Sequence, residues 1–431
     1  MDFMKNFVIT LYVLTVIALV PEACYAAKDI PVLKAEGVIN PVMAEFIIKG
    51  IDQAEQEKAE VIVIELDTPG GLDTSMRDIV KRISQSSVPV VVYVSPSGSR
   101  AASAGLFILL SAHIAAMAPG TNVGAAHPVA VGKDMDKTMA KKAENDSAAY
   151  IRSLAGKRGR NPEWSEKAVR ESASVTEKEA LKLNVIDFIA KDMQDLLQSI
   201  NGKKVETVVG VKIINTKGLK TKYQEMGLRY QILSLISNPN VAYILMMLGF
   251  YGIFFELTNP GSIFPGVIGA IFLILAFYSF QTLPVNYAGL LLIILAIILF
   301  ILEVQITSYG LLTIGGLISM TLGSIMLFDS PLPFFRLSLE VVLPVVILSS
   351  LFFILILSLA IKAHRRKPVT GNEGLIGLEG TVKKFSGSGE VMVLVHGELW
   401  NAWSDTAIQQ GDKVIVEKVE GLKLQVRKKE A

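Results

Sequence analysis

The hydrophobic pattern divides the chain into a short apolar start, a mixed first half, a strongly apolar middle and a polar, alternating tail. From Lys28 to about Tyr230, β-branched runs such as 61–66 and 89–94 alternate with amphipathic stretches such as 75–83. Continuous apolar runs of this length predict buried strands, and apolar residues on one helical face predict helices that pack on them. The order predicts an α/β domain with parallel strands and crossover helices.

A longer apolar run covers residues 101–118 of this domain. It is interrupted by Ser103, Ser111 and His113 and closes on Pro119-Gly120. A membrane span needs about 20 predominantly apolar residues, so we predict a buried core helix here instead.

The middle of the chain carries very little charge between Arg229 and Lys362. It contains five hydrophobic runs, near 241–257, 262–281, 286–303, 308–328 and 340–362. These runs predict a transmembrane helical region, in which the first run is the shortest. The basic cluster over residues 362–367 is typical of a cytoplasmic flank, so an exported first domain requires an odd number of crossings. This parity favours five helices over four.

The N-terminus has the pattern of a signal peptide. Lys5 precedes an apolar stretch over 7–20, and Cys24-Tyr25-Ala26 places small residues at a cleavage site after Ala26. An uncleaved anchor is the alternative, and either one would export the α/β domain. The predicted location is therefore a multi-pass protein of the cell (inner) membrane, with its α/β domain outside the cytoplasm and its tail inside.

The tail over residues 374–429 alternates apolar and polar positions between turn residues, which predicts a small five-stranded barrel of the OB type. Trp400 and Trp403 could form a binding platform there, but aromatics that close the barrel are the preferred interpretation. The predicted domains are a signal peptide, an exported α/β domain, a transmembrane region and the barrel, at residues 1–26, 27–230, 231–363 and 364–431.

Composition supports a membrane protein and excludes several functions. Of 431 residues, 19% are charged and 51% are hydrophobic, and the mean hydropathy is +0.46, so part of the chain must face lipid. The net charge of +2, without a basic tract interleaved with aromatics, argues against a nucleic-acid partner. The single cysteine, Cys24, lies in the predicted signal peptide, and the four histidines are scattered. We therefore expect neither a metal nor another cofactor.

Three motifs follow one another in the α/β domain and together suggest chemistry. Asp67-Thr68-Pro69-Gly70-Gly71 comes directly after a predicted strand, and paired glycines let backbone N–H groups approach a ligand. Ala102-Ser103-Ala104-Gly105 places a serine among small neighbours, where a helix N-terminus could supply donors to an oxyanion. A predicted helix over about 135–154 then carries Lys141 and Lys142. Each motif alone is more often a turn, a packing site or a solvated face.

In this order, and with Met117 to Pro128, Ala149 to Ala155 and Val185-Ile186-Asp187, the motifs resemble the long-form NfeD proteins. These are membrane proteins whose exported domain is a serine peptidase of the Clp-protease-like, crotonase-like fold. The resemblance extends over nearly the whole chain. It implies an α/β Clp-protease-like domain, a transmembrane helical region and a C-terminal OB-type barrel.

The resemblance also implies roles for individual residues. Ser103 would be the nucleophile, and the backbone N–H groups of Gly71, beside Gly70, and of Ala104 would bind the oxyanion. The family's base is a lysine one to two helical turns before the stretch that starts at Ala149, which implies Lys142.

Two alternatives to Lys142 remain open. Lys142 shares a helix face with Ala149, seven residues on, whereas Lys141 shares one with Arg152, and this slightly favours Lys142. His127 follows Ser103 at an interval close to that of the serine and histidine of the Clp protease. A Ser–His–Asp triad would lack its acid, however, because this chain has Ser172 at the corresponding position. His113 is interpreted as a packed core histidine.

These observations predict a membrane-bound serine endopeptidase with a Ser–Lys dyad. The resemblance implies hydrophobic substrates in membrane protein quality control, a stomatin-like (prohibitin-domain) protein as substrate or partner, and a homo-oligomer. The alternative is a membrane scaffold with an idle peptidase site that binds stomatin- or flotillin-like proteins. A transporter is disfavoured because Glu256 and Glu303 lie at the ends of hydrophobic runs.

Overall fold

The computed structural model describes residues 29–129, 136–258, 261–306, 308, 310–328, 330, 333–364, 372–386 and 390–429. The predicted signal peptide, residues 1–26, and the basic residues 365–367 lie outside this description.

The first domain is built on a six-stranded parallel sheet with the order β11-β1-β2-β3-β5-β8. A small second sheet has the order β4-β6-β7, and β9 pairs with β10 in a hairpin. The strands are β1 (Ile30–Glu36), β2 (Ile62–Asp67), β3 (Val90–Val94), β4 (Arg100–Ala102), β5 (Ile114–Met117), β6 (Asn122–Gly124), β7 (Ser174–Thr176), β8 (Phe188–Ile189), β9 (Lys204–Thr207), β10 (Gly210–Ile213) and β11 (Thr221–Gln224).

Helices cover both faces of the large sheet. They are α1 (Pro41–Gln56), α2 (Asp73–Ser84), α3 (Ala104–Ser111), α4 (Lys137–Lys157), α5 (Pro162–Arg170), α6 (Glu177–Lys182) and α7 (Met193–Ile200), followed by α8 (Leu228–Ile236). Alternate residues of one strand enter different cores: Ile62 and Ile64 join one buried cluster, while Val61 and Val63 join the other. This explains why the strands are continuous apolar runs, because both of their faces are buried.

The chain advances through strand–strand–helix units. β3 in the large sheet is followed by β4 in the small sheet and then by α3, and β5, β6 and α4 repeat this order. Each unit carries the chain from the large sheet to the edge where the small sheet lies, and a helix then packs back on the core. The predicted α/β class, with parallel strands and crossover helices, is confirmed.

The prediction of one buried helix over 101–118 is wrong. The segment holds the end of β4, the eight-residue helix α3 and the buried strand β5. The helix ends at Ser111 because the Arg160 guanidinium, which is 3% exposed, donates to the carbonyls of Leu110 and Ala112 at 2.8 and 2.9 Å. Arg160 also pairs with Asp187 at 2.8 Å. Because nearly all of these residues are buried, the run is apolar throughout. It therefore gives no sign of the breaks between β4 and α3 and between α3 and β5.

His113 is a buried core histidine, as its position predicted. It is 9% exposed, and its Nδ1 accepts the Val90 N–H at 3.1 Å. Burial, reinforced by nearby Arg158 and Arg160, lowers the pKa of His113 from 6.5 to about 3. The ring is therefore neutral in the folded protein, and protonation in the unfolded chain favours unfolding.

We expect the stability of this domain to fall in mild acid because of His113. Below pH 6.5 the unfolded chain binds one more proton than the folded one, so the free energy of unfolding falls by about 1.4 kcal/mol per pH unit. His113→Asn keeps an acceptor for Val90 and cannot titrate in this range. Hydrogen exchange of the slowest β3 and β5 amides in the full-length protein, between pH 7 and 5, should show a shallower slope for this variant. An unchanged slope would assign the acid sensitivity to other groups.

Each of the five hydrophobic runs of the middle region forms a helix. The helices are α9 (Pro239–Thr258), α10 (Phe264–Phe280), α11 (Tyr287–Gln305), α12 (Leu311–Leu327) and α13 (Leu339–His364). Among the described residues, α9 is long and apolar enough to cross a membrane, and the others contain shorter apolar stretches. A Cβ atom on Gly249 would lie 2.9 Å from the Gly269 carbonyl oxygen, so these glycines let α9 and α10 approach closely.

The tail forms a closed five-stranded barrel after the short helix α14 (Asn372–Leu375). Its order is β12-β13-β14-β16-β15, and β14 pairs with β16 in parallel. The strands are β12 (Glu379–Ser386), β13 (Glu390–Val395), β14 (Glu398–Trp403), β15 (Lys413–Glu420) and β16 (Lys423–Lys428). The predicted OB-type barrel is confirmed. Trp400 is half-buried and packs against the barrel core, as the preferred interpretation expected, whereas Trp403 is half-buried outside that cluster.

Candidate active site

Backbone hydrogen bonds join the first two motifs of the sequence. The Thr68 N–H donates to the Arg100 carbonyl at 2.8 Å, and the Ala102 N–H donates to the Thr68 carbonyl at 3.1 Å. The Asp67 carboxylate accepts the Arg100 N–H at 3.0 Å. The Thr68 hydroxyl accepts the Gly70 N–H at 3.0 Å and so closes the glycine turn. These bonds fix the glycine pair beside the segment that leads into Ser103.

Ser103 lies in a sharp turn between β4 and α3. Its backbone has φ 51° and ψ −112°, a conformation that residues with a side chain rarely adopt. The Ser103 N–H donates to the Gly124 carbonyl at 3.0 Å, and the Ser103 carbonyl accepts the Leu106 N–H at 3.1 Å. A strained strand–turn–helix serine is the arrangement in which hydrolases expose a nucleophile.

Two glycines give Ser103 its space. A Cβ atom on Gly70 would lie 2.7 Å from the Ser103 Cβ and 3.2 Å from its Oγ, so any side chain there would displace the serine. A Cβ atom on Gly71 would lie 2.1 Å from the Ile39 carbonyl oxygen. The Ile39 N–H donates to the Gly70 carbonyl at 2.9 Å, which holds the turn in place. The glycine pair is therefore required by close backbone contacts.

The amides of Gly71 and Ala104 have no hydrogen-bond acceptor within the described residues. Ala104 is the first residue of α3, where helix geometry leaves N–H groups without partners and the helix dipole favours negative charge. The Ser103 amide is already bonded to Gly124. Within the described residues, the amides of Gly71 and Ala104 are therefore available as donors to a ligand.

A cavity of about 130 Å³ opens beside Ser103. Its walls are mostly apolar, and they include a few polar side chains. The lining residues are Pro69, Gly71, Asp73, Met76, Ser103, Ala104, Phe107, Ala126, His127, Pro128, Val129, Ser147 and Phe334. A concave, mostly apolar site with few polar groups suits an aliphatic side chain next to a reacting carbonyl.

His127 lies at this cavity with its ring oriented by the backbone. Its Nδ1 is 2.9 Å from the Val169 carbonyl oxygen, so in the neutral ring Nδ1 donates and Nε2 carries the lone pair. The ring makes no hydrogen bond to Ser103 Oγ within the described structure. Ser172, at the position of the missing acid, is exposed. A carbonyl thus orients His127 where a triad would use a carboxylate.

Lys142 is exposed on the second turn of α4 and does not line the cavity. The buried face of α4 runs through Ser147, Ala148 and Ile151, whereas Ala149 is exposed. Sharing a face with Ala149 therefore places Lys142 toward solvent in this structure. Lys141 is exposed as well. Neither ammonium group bonds to Ser103 Oγ within the residues described here, although catalytic hydrogen bonds often form only once substrate is bound.

Several cavity residues were missed by sequence reasoning. Phe107 lies one helical turn after Ser103, and this spacing could have identified it. Ser147 belongs to the buried face of α4. Phe334 comes from the loop between α12 and α13, and nothing in the sequence pattern connects it to Ser103. Within the described ranges, no group of three or more His, Cys, Asp or Glu could hold a metal ion.

Family models match three consecutive parts of the chain. They are the NfeD1b N-terminal domain at residues 28–208, the NfeD integral membrane domain at 240–359, and the NfeD-like C-terminal, partner-binding domain at 372–428. The chain is 37% identical to the membrane-bound protease PH1510 of Pyrococcus horikoshii, over 98% of this chain and 97% of that one. It is 27% identical to the membrane protein NfeD1b of Bacillus subtilis, over 72% and 70% of the two chains.

Among solved structures, the chain is similar to 1510-N, a membrane protease specific for a stomatin homolog from Pyrococcus horikoshii. The identity is 38%, and the match covers 49% of this chain and all of that one, with a TM-score of 0.44.

Proposed function

The chain belongs to the NfeD family of membrane proteins, and from this premise we propose that it is a serine endopeptidase that cleaves apolar segments of membrane-associated proteins. One observation carries the proposal: Ser103 lies on a strained strand-to-helix turn beside a mostly apolar cavity, whose lining also includes two residues with amides that have no acceptor within the described residues. A relative that matches nearly the full length is a membrane-bound protease, which supports the same reaction class.

In the proposed mechanism, Ser103 Oγ attacks the carbonyl carbon of the scissile peptide and gives its proton to the neutral amine of Lys142. The amides of Gly71 and Ala104 donate to the oxyanion. When the tetrahedral intermediate collapses, the C–N bond breaks and the leaving amine takes the proton from Lys142. Water then attacks the acyl ester with Lys142 as base again, and Ser103 regains its proton.

Lys142 can act in this way only if substrate binding removes it from water, because an ammonium group cannot accept a proton. A bound peptide would lie across the cavity and could bury the start of α4, which is exposed without it. His127 is the competing base, since it already lies at the cavity. The proposal assigns Lys142 as the base because of the family resemblance.

A stomatin-like protein is the proposed substrate or partner. A relative from Pyrococcus horikoshii is specific for a stomatin homolog, and residues 372–428 match a partner-binding domain. An apolar cavity fits a role in membrane protein quality control, where apolar segments are degraded. A homo-oligomer is part of this proposal.

The proposed topology places the peptidase domain outside the cytoplasm. Phe334, after four helices, lines the same cavity as Ser103, which supports a topology with this loop and the peptidase domain on one side of the membrane. An even number of crossings between them meets this requirement. The fifth helix would then bring the tail barrel to the cytoplasm.

We expect the full-length protein in lipid nanodiscs to cleave a peptide from the apolar C-terminal region of a stomatin-like protein. A matched peptide with serine in place of the apolar residues should react at least about tenfold more slowly, since apolar pockets discriminate by such factors. Mass spectrometry of the products gives the cleavage site. The scaffold alternative predicts binding without cleavage, and no labelling of Ser103 by a fluorophosphonate.

A further inference from the structure

We infer that the loop between the last two membrane helices forms a wall of the substrate pocket, and that Phe334 in this loop determines which side chain the pocket accepts. The inference rests on the proposed function, in that the occupant of the cavity is a peptide side chain. It adds a specificity residue from the membrane region to a site built otherwise by the exported domain.

The position of Phe334 is the first observation. It lies more than 200 residues after Ser103 in the chain, yet both residues line the cavity of about 130 Å³. Phe334 is half-buried there. Of the other apolar groups in the lining, Met76 and Phe107 are almost fully buried and belong to α2 and α3, while Val129 is 43% exposed. Phe334 therefore forms the one part of the described cavity wall that comes from outside the exported domain.

The loop is anchored rather than loosely apposed. Phe335 is 3% exposed, and its ring lies edge-on to that of Phe334 with the centroids 4.9 Å apart. Phe335 lines a second small cavity together with Val38 and Met43 of the exported domain. The Ser338 N–H donates to the Asn240 side chain at 2.9 Å, which ties the start of α13 to the start of α9. These contacts fix where Phe334 lies.

Phe334 borders the cavity and leaves it open. A cavity of about 150 Å³ is known to take benzene, so a space slightly smaller takes one aliphatic side chain such as leucine or valine and is tight for an aromatic one. An autoinhibitory plug would instead fill the space beside Ser103. The geometry thus favours a size limit on the substrate, set by the phenyl ring of Phe334.

Opposite substitutions at Phe334 test this inference in the full-length protein in nanodiscs. Phe334→Ala should raise the ratio of kcat/KM for phenylalanine over leucine, at the substrate position that enters the cavity, by about tenfold or more. Phe334→Trp should narrow the cavity and shift preference toward alanine and valine. Phe264→Ala is the matched control, because Phe264 is 74% exposed at the start of α10 and does not line the cavity.

A binding measurement separates this inference from the proposed function. In a Ser103→Ala background, dissociation constants of peptides with leucine, phenylalanine or tryptophan at this position should show the same opposite shifts. If the dissociation constants shift as expected while the protein with Ser103 cleaves no peptide, Phe334 is supported as a wall of the pocket and the peptidase assignment fails. Unchanged ratios in both assays would overturn the inference. Equal acceleration of all peptides by Phe334→Ala would also overturn it, in favour of a plug.

Discussion

Ser103→Ala should lower kcat/KM for an apolar peptide by about 10³- to 10⁶-fold in the full-length protein, since loss of a serine nucleophile removes the covalent route. Binding should persist, because the cavity walls and the amides of Gly71 and Ala104 stay in place. Single-turnover kinetics and peptide binding in nanodiscs measure the two effects separately. The KM of any residual reaction should change little.

The structure allows this loss to be distinguished from unfolding. Ser103 Oγ makes no hydrogen bond within the described part of the chain, and alanine retains the Cβ that lies near Gly70. The melting temperature should therefore stay nearly constant. Ser153→Ala, on the exposed face of α4, is the matched control and should keep full activity. Cleavage at the normal rate by Ser103→Ala would end its assignment as nucleophile.

Features that depend on a local sequence pattern, such as turns and the barrel strands, could be predicted from the sequence. The serine among alanines and the glycine pair after a strand are visible in the sequence because close contacts admit only small residues there. At Gly70 and Gly71 these contacts leave no room for a side chain. The alternating tail likewise predicted a barrel, since one face of each strand is buried. Local spacing thus predicted the two turns that the structure brings together, at Gly70-Gly71 and at Ser103.

The features that could not be predicted depend on contacts distant in sequence. The carbonyls at the end of α3 are bonded by Arg160, which lies 50 residues after Leu110. Phe334 reaches the cavity through the packing of the membrane helices, which are apolar along most of their surfaces and give no sign of which loop meets the α/β domain. Helical periodicity grouped Lys142 with Ala149 correctly but could not show that this face is exposed. Burial depends on tertiary packing, which helical periodicity does not encode.

Lys142→Ala should lower kcat by about 10²- to 10⁴-fold, the usual contribution of a general base. Lys142→Arg should be as inactive, because a guanidinium keeps the positive charge but cannot accept a proton. Lys141→Ala is the matched control: it removes an equally exposed ammonium group one residue away and should leave kcat nearly unchanged. If Lys142 only contributes surface charge, the arginine variant would retain activity.

His127→Ala distinguishes the two bases most directly. With Lys142 as base, this variant should mainly raise KM, since His127 forms part of the cavity wall. With His127 as base, kcat would collapse in this variant and stay normal in Lys142→Arg. The Val169 carbonyl would then act as the orienting group, holding Nδ1–H so that Nε2 faces the substrate. A carbonyl carries no full charge to stabilise an imidazolium, so such a pair would be weaker than a triad with a carboxylate. For this reason we expect the larger loss at Lys142.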